Sequence, residues 1–153
     1  MIFTQAFNYE DILAGLDKET DCIALIGCET CVRVAGSGGQ EKLKQLAMQL
    51  RTDGYQVKDG FMVPTACTPK LANIHLAREI NTILSLACSA GTSNLRRWFP
   101  GCKVIETIQD VGLMIENART KTLQITLPYE AFKEQEGKAF AAFTGKAVEE
   151  VQQ

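Results

Sequence analysis

The fold is decided by residues 22–31, which read CIALIGCETC. The first six of these residues form a continuous apolar run of strand length, as expected for a central parallel strand that is covered on both faces. The run leads into two cysteines separated by two residues, Cys28 and Cys31. We therefore expect a buried strand that delivers a Cys-x-x-Cys pair to the loop at its carboxyl end.

Segments on both sides of this strand predict alternating strands and helices. Further strands are expected at residues 55–63, 82–87 and 103–105, and helices at residues 8–18, 40–52, 70–79 and 95–98. In the third helix, Thr68 is the predicted N-cap and Pro69 the first helical residue. With short loops, this order predicts an α/β fold with an open, mostly parallel, right-handed doubly wound sheet. We expect this α/β core to occupy residues 1–106, with residues 1–7 left outside its packed interior as a candidate partner contact.

The last part of the chain, residues 107–153, has a different pattern. Apolar residues alternate with polar ones on both sides of a turn-rich segment at residues 117–120, which predicts a β-hairpin. Apolar residues then mark a terminal amphipathic helix: Phe140, Phe143, Ala147 and Val151. We expect this hairpin and helix to pack on the α/β core as an appendage, so that the chain forms a single domain overall.

Composition excludes several classes of function. The 153 residues carry a formal net charge of −2 and are 46% hydrophobic, with no apolar run near the ~20 residues that cross a bilayer. We therefore predict no nucleic-acid partner and no membrane span. The N-terminal residues do not resemble a signal peptide, which predicts a cytoplasmic location. In that reducing compartment, six cysteines more often indicate metal or redox chemistry than disulfides.

The predicted topology divides the cysteines into a group of four and a group of two. Loops that follow parallel strands meet at the carboxyl edge of a sheet, where such folds bind their ligands. Four cysteines follow the first three predicted strands: Cys28, Cys31, Cys67 and Cys88. The other two, Cys22 and Cys102, precede strands and belong at the opposite edge, where we expect them to be small hydrophobic residues.

Four thiols at one edge match either a tetrahedral zinc site or a [4Fe-4S] cluster. Helices begin just after these cysteines, and their N-terminal N–H groups favour an anionic centre. Nearby glycines would let the backbone approach a bulky cluster, which favours the larger centre: Gly27, Gly36, Gly38, Gly39 and Gly91. Two alternatives stay open, a zinc protein with four cysteine ligands and a structural or docking role, and a thiol-disulfide redox protein that uses Cys28 and Cys31.

Three blocks of sequence resemble one family. Residues 26–34, IGCETCVRV, and residues 36–41, GSGGQE, are similar to its GCGTCxxxC opening and the glycine-rich stretch after it. A lone Cys67 follows, and residues 84–91, LSLACSAG, are similar to the motif LSLACGxG. The resemblance covers about residues 8–105 and is to the small iron–sulfur subunits, of the MetV type, of anaerobic methylenetetrahydrofolate reductases. Ala35 stands where that family has a third clustered cysteine.

The resemblance implies an electron-transfer subunit in anaerobic one-carbon metabolism rather than a complete enzyme. By matched position, the ligands of one [4Fe-4S] cluster would be Cys28, Cys31, Cys67 and Cys88. The implied partner is a flavin-bearing reductase subunit or another redox protein, in a hetero-oligomeric oxidoreductase. No catalytic residues are predicted, because the sequence has no evident acid–base pair and its single histidine, His75, lies in a predicted helix.

Overall fold

Two β-sheets, one parallel and one antiparallel, organise the chain. The computed structural model describes residues 1–69, 71 and 73–149. In chain order the elements are β1 (Ile2–Ala6), α1 (Tyr9–Leu13), β2 (Cys22–Cys28), α2 (Cys31–Val34), α3 (Gln40–Thr52), β3 (Gln56–Val63), β4 (Thr82–Leu86), α4 (Ser89–Trp98), β5 (Lys103–Glu106), β6 (Ile108–Asn117), β7 (Thr122–Pro128), a 3-10 helix (Glu130–Gln135), β8 (Ala139–Ala141) and β9 (Ala147–Val148).

The parallel sheet has four strands in the order β3-β2-β4-β5. The apolar run of β2 lies between two parallel neighbours, and residues 23–28 are buried, as the sequence predicts. All of β4 is buried as well. At the edge, β3 contains one extra residue, because Ile23 pairs with Val57 and Ala24 pairs with Asp59. The bulge at Lys58 leaves the edge strand irregular without ending its pairing with β2.

Helices cover this sheet. The helix α3 spans the predicted residues and buries Leu43 and Leu50. The helix α4 begins immediately after Cys88 and buries Gly91, Thr92 and Leu95. Within the described part of the chain, no helix combines the length and the apolar character that crossing a membrane requires.

The antiparallel sheet has five strands in the order β1-β6-β7-β8-β9. The predicted hairpin is confirmed as β6 and β7, with the Asn117 side chain accepting hydrogen bonds from two backbone N–H groups of the turn, at 3.1 and 3.3 Å. The expectation of one open, doubly wound sheet is wrong in part, because this second sheet also recruits β1 from the N-terminal end. There Phe3 is 1% exposed, and its ring stacks on that of Phe140 with centroids 4.4 Å apart. The expectation that residues 1–7 lie outside the packed interior is therefore wrong for Phe3 and Thr4, which are buried, whereas Met1 and Ala6 are exposed.

The predicted helix at residues 70–79 does not form in residues 71 and 73–79. Thr68 does not cap a helix. Its hydroxyl instead donates a hydrogen bond backward along the chain, to the carbonyl of Thr65 at 3.1 Å. Only isolated turns follow, such as the bond from the Ile74 N–H to the Leu71 carbonyl at 3.1 Å. The side chains of Leu71 and Ile74 are buried in a cluster with Ile83 of β4. This segment therefore packs on the sheet without forming a helix. The predicted positions 70 and 72 lie outside the described residues.

The predicted terminal helix is also wrong over its described residues. The short strands β8 (Ala139–Ala141) and β9 (Ala147–Val148) occupy this segment instead. Between them, Phe143 and Gly145 each have a φ of +68°, a value that interrupts a right-handed helix. Phe140 is buried whereas Phe143 is 52% exposed, so the helical spacing does not describe a buried stripe. The fourth predicted position, Val151, lies outside the described residues.

Candidate functional site

The carboxyl edge of the parallel sheet carries the four cysteines that the sequence assigns to it. They follow three strands that are neighbours in the sheet: Cys28 ends β2, Cys31 opens α2, Cys67 lies in the loop after β3, and Cys88 precedes α4 after β4. At the other ends of the strands, Cys22 opens β2 and Cys102 comes just before β5. The sheet topology therefore places four of the six thiols at the carboxyl edge of the parallel sheet and the other two at the opposite edge.

The thiol of Cys28 is buried and hydrogen-bonded to the loop after β3. The backbone N–H of Ala66 donates to the Cys28 sulfur at 3.4 Å, and the Thr30 hydroxyl oxygen lies 3.4 Å from the same sulfur. The Thr30 hydroxyl donates to the carbonyl of Pro64 at 2.7 Å. These bonds hold the Cys-x-x-Cys segment against the loop that carries Cys67.

The thiol of Cys88 is buried at the start of α4. Burial raises the pKa of Cys88, and the nearby backbone N–H groups of Gly91 and Ala90 offset that rise only in part. The charges of Asp110 and Cys31 near this sulfur raise the pKa further. The raised pKa favours the protonated form of the Cys88 thiol.

An acidic residue from the antiparallel sheet completes this side of the site. Asp110 of β6 accepts hydrogen bonds from both the backbone N–H and the hydroxyl of Ser89, at 2.9 and 2.5 Å. Burial raises the pKa of the Tyr129 phenol, and the nearby charges of Asp110 and Cys88 raise it further. The sequence offered no local signal for this contact, because it depends on how the two sheets pack.

The fourth cysteine is in a different environment. Cys67 is exposed, and its loop and the second half of α4 enclose an open cavity of about 520 Å³. The cavity is lined by Cys67, Thr68, Pro69, Asn94, Arg97 and Trp98. The Asn94 side-chain amide donates to the carbonyl of Ala66 at 2.8 Å and to that of Thr68 at 2.6 Å. It therefore bonds the residues on both sides of Cys67.

The thiols share an edge but do not form a finished metal site. In residues 1–69, 71 and 73–149, no three histidine, cysteine or acidic side chains lie close enough together to hold a metal ion. The donor set itself, four thiols of which Cys28 accepts a hydrogen bond from a backbone N–H, has the chemistry of thiolate-bound zinc or iron–sulfur centres. A shared centre requires the cysteine side chains to come closer together, and the exposed side chain of Cys67 is the one least fixed by burial.

The glycines near the cysteines serve chain packing. A Cβ on Gly36 would overlap the Thr144 carbonyl carbon, and φ at Gly36 is +80°. A Cβ on Gly91 would lie 2.8 Å from the Ala87 Cβ and 2.9 Å from the Ala66 Cβ. Gly36 thus accommodates the C-terminal turn, whereas Gly91 brings α4 against the loop that carries Cys67.

Comparison with known proteins gives no relative for this chain. No protein-family model, no curated protein and no solved structure matches it.

Proposed function

We propose that this chain is a cytoplasmic iron–sulfur electron-transfer subunit that holds one [4Fe-4S] cluster through Cys28, Cys31, Cys67 and Cys88. The observation that carries the proposal is the position of these cysteines at the carboxyl edge of three neighbouring parallel strands. The sequence resemblance suggests the partner, a flavin-bearing subunit of a methylenetetrahydrofolate reductase-like or related anaerobic one-carbon complex.

A hydrogen bond to sulfur supports an anionic centre over a pair of simple thiols. The Ala66 N–H donates to the Cys28 sulfur at 3.4 Å, and the N–H groups at the start of α4 lie near Cys88, where they favour negative charge. Such bonds stabilise negative charge on sulfur and are one of the factors that set the potential of a thiolate-bound cluster. When bound, the cluster supplies transfer of one electron at a time.

Burial disfavours a simple dithiol enzyme. Of the two cysteines of that dithiol, Cys28 is only 8% exposed, whereas Cys31 is partly exposed. A dithiol reaction at Cys28 and Cys31 would also leave Cys67 and Cys88, at the same edge of the sheet, without a role. Zinc remains the alternative occupant, because four thiolates suit it equally in number.

The test is anaerobic reconstitution of the full chain with ferrous iron and sulfide, followed by iron and sulfide analysis, visible absorption and EPR after reduction. We expect about four iron atoms per chain in the unsubstituted protein, as the ligand set of a [4Fe-4S] cluster implies. Cys88→Ser should lose the bound iron while keeping its fold, because serine is a favourable N-cap for α4. Cys102→Ser is the matched control and should retain the iron, because Cys102 lies at the opposite edge.

Three outcomes would contradict the proposal. Colourless protein with one zinc per chain would assign the site to a zinc module with four cysteine ligands. Disulfide exchange that needs Cys28 and Cys31 but tolerates Cys88→Ser would assign it to thiol redox chemistry. Equal loss of iron from Cys88→Ser and Cys102→Ser would show that the two groups of cysteines are not distinct.

A further inference from the structure

One face of α4 connects two of the cysteines. Cys88, Gly91 and Asn94 are spaced three residues apart, so they follow one another along the same side of a helix. Each touches the edge of the sheet differently: Cys88 supplies a thiol, Gly91 packs on Ala66, and Asn94 donates two hydrogen bonds to the loop. The helix that begins at one cysteine thus holds the loop of another.

The bonds from Asn94 are placed where they fix Cys67. Its amide group spans the carbonyls of Ala66 and Thr68, the two residues adjacent to Cys67. The Cys67 side chain is exposed, so burial does not position it. On the other side of the loop, the Ala66 N–H donates to the Cys28 sulfur. Movement of this loop would therefore change the distance between Cys67 and Cys28 directly.

We propose that Asn94 is the positioning residue for Cys67, holding the loop at residues 66–68 so that this cysteine can join the other three in binding the centre. The proposal rests on the proposed function for its role in binding a cluster, but the hold on the loop exists in the protein without iron. Asn94 acts through the backbone of the loop and does not itself touch the centre.

The loop can be tested without iron by amide hydrogen exchange. We expect Asn94→Ala to speed exchange at the Ala66 N–H by roughly 5- to 25-fold, since each net hydrogen bond corresponds to about a five-fold change in an equilibrium constant. Asn94→Asp should have at least as large an effect, because a carboxylate has the same shape but cannot donate to the two carbonyls. Ser93→Ala, an exposed neighbour in α4, is the control, and exchange in β2 gives the reference for global unfolding. Unchanged exchange at Ala66 in both Asn94 variants would overturn the proposal.

Iron retention gives the second readout. After reconstitution and challenge with a chelator, Asn94→Ala should lose iron several-fold faster than Ser93→Ala, and Asn94→Gln, which keeps the amide donors, should recover part of the difference. Equal rates in all variants would refute a role for Asn94 in binding the centre, even if exchange at Ala66 had increased. If the unsubstituted chain takes up no iron, the proposed function fails, while the exchange measurement still decides whether Asn94 holds the loop.

Discussion

Replacing Gly91 with alanine tests whether α4 and the loop after β3 are in close contact. The added Cβ would lie 2.8 Å from the Ala87 Cβ and 2.9 Å from the Ala66 Cβ. Carbon atoms pack best about 3.5–4.0 Å apart, so the helix and the loop would have to separate. Overpacking of this kind costs about 1–3 kcal/mol, and alanine returns about 1 kcal/mol through its higher helix propensity.

We therefore expect Gly91→Ala to lower the free energy of unfolding by about 1 kcal/mol, which corresponds to a fall in Tm of about 2–4 °C for a chain of this size. The free energy of unfolding is measured by urea denaturation, with one shared m-value for the variant and the unsubstituted protein. Gly101→Ala is the control, because a Cβ there would meet no heavy atom within 4 Å. A Gly91→Ala variant as stable as Gly101→Ala would refute the close contact and the alignment of this helical face with the loop.

Further substitutions test the packing away from the site. Asp21→Asn should destabilise the protein by about 1.5–3 kcal/mol at pH 7, because it weakens the bond from the Lys103 ammonium at 2.7 Å. Burial by itself raises the pKa of Asp21, but hydrogen bonds dominated by that from Lys103 hold the pKa below its usual value, so this stabilisation is present above about pH 4 and is lost as pH falls through the lowered pKa. Denaturation of both proteins at pH 7 and pH 3 should show the difference shrink, and a constant difference would contradict this assignment. Phe140→Ala should cost about 3–5 kcal/mol by thermal unfolding, through a cavity beside Phe3, and a loss below about 1 kcal/mol would contradict the stacked core. Gly36→Ala should be strongly destabilising, because φ is +80° and the Cβ would lie 2.5 Å from the Gly145 nitrogen; wild-type stability in urea denaturation would argue against that turn.

Local sequence predicted the elements whose burial is uniform or strongly periodic. The apolar run of β2 and the helical spacing of α3 each describe their own surroundings, so their types and approximate limits follow from the residues themselves. The location of the candidate site could also be predicted, because parallel strands bring the loops at their carboxyl ends to one edge of a sheet. Cys28, Cys31, Cys67 and Cys88 are at that edge for this reason.

Contacts between distant segments set the rest. The five residues of β1 have little pattern of their own, and only pairing with β6 identifies them as a strand. The helical spacing at residues 140–151 was misleading because Phe140 is drawn into the antiparallel sheet by Phe3. For Asn94, the separation of six residues from Cys88, two steps of three along one side of α4, was a usable signal, whereas its hold on the loop of Cys67 depends on hydrogen bonds that spacing does not reveal.

The pairing of β1 with β6 has a consequence during synthesis. Ile2 and Leu113 are partners although 111 positions (113 minus 2) separate them in the chain. At about 5–20 residues per second, a ribosome takes roughly 6–22 s to make the intervening polypeptide. The strand β1 therefore leaves the exit tunnel well before its partner β6 has been made, and for those seconds the aromatic ring of Phe3 is open to chaperones and to neighbouring nascent chains.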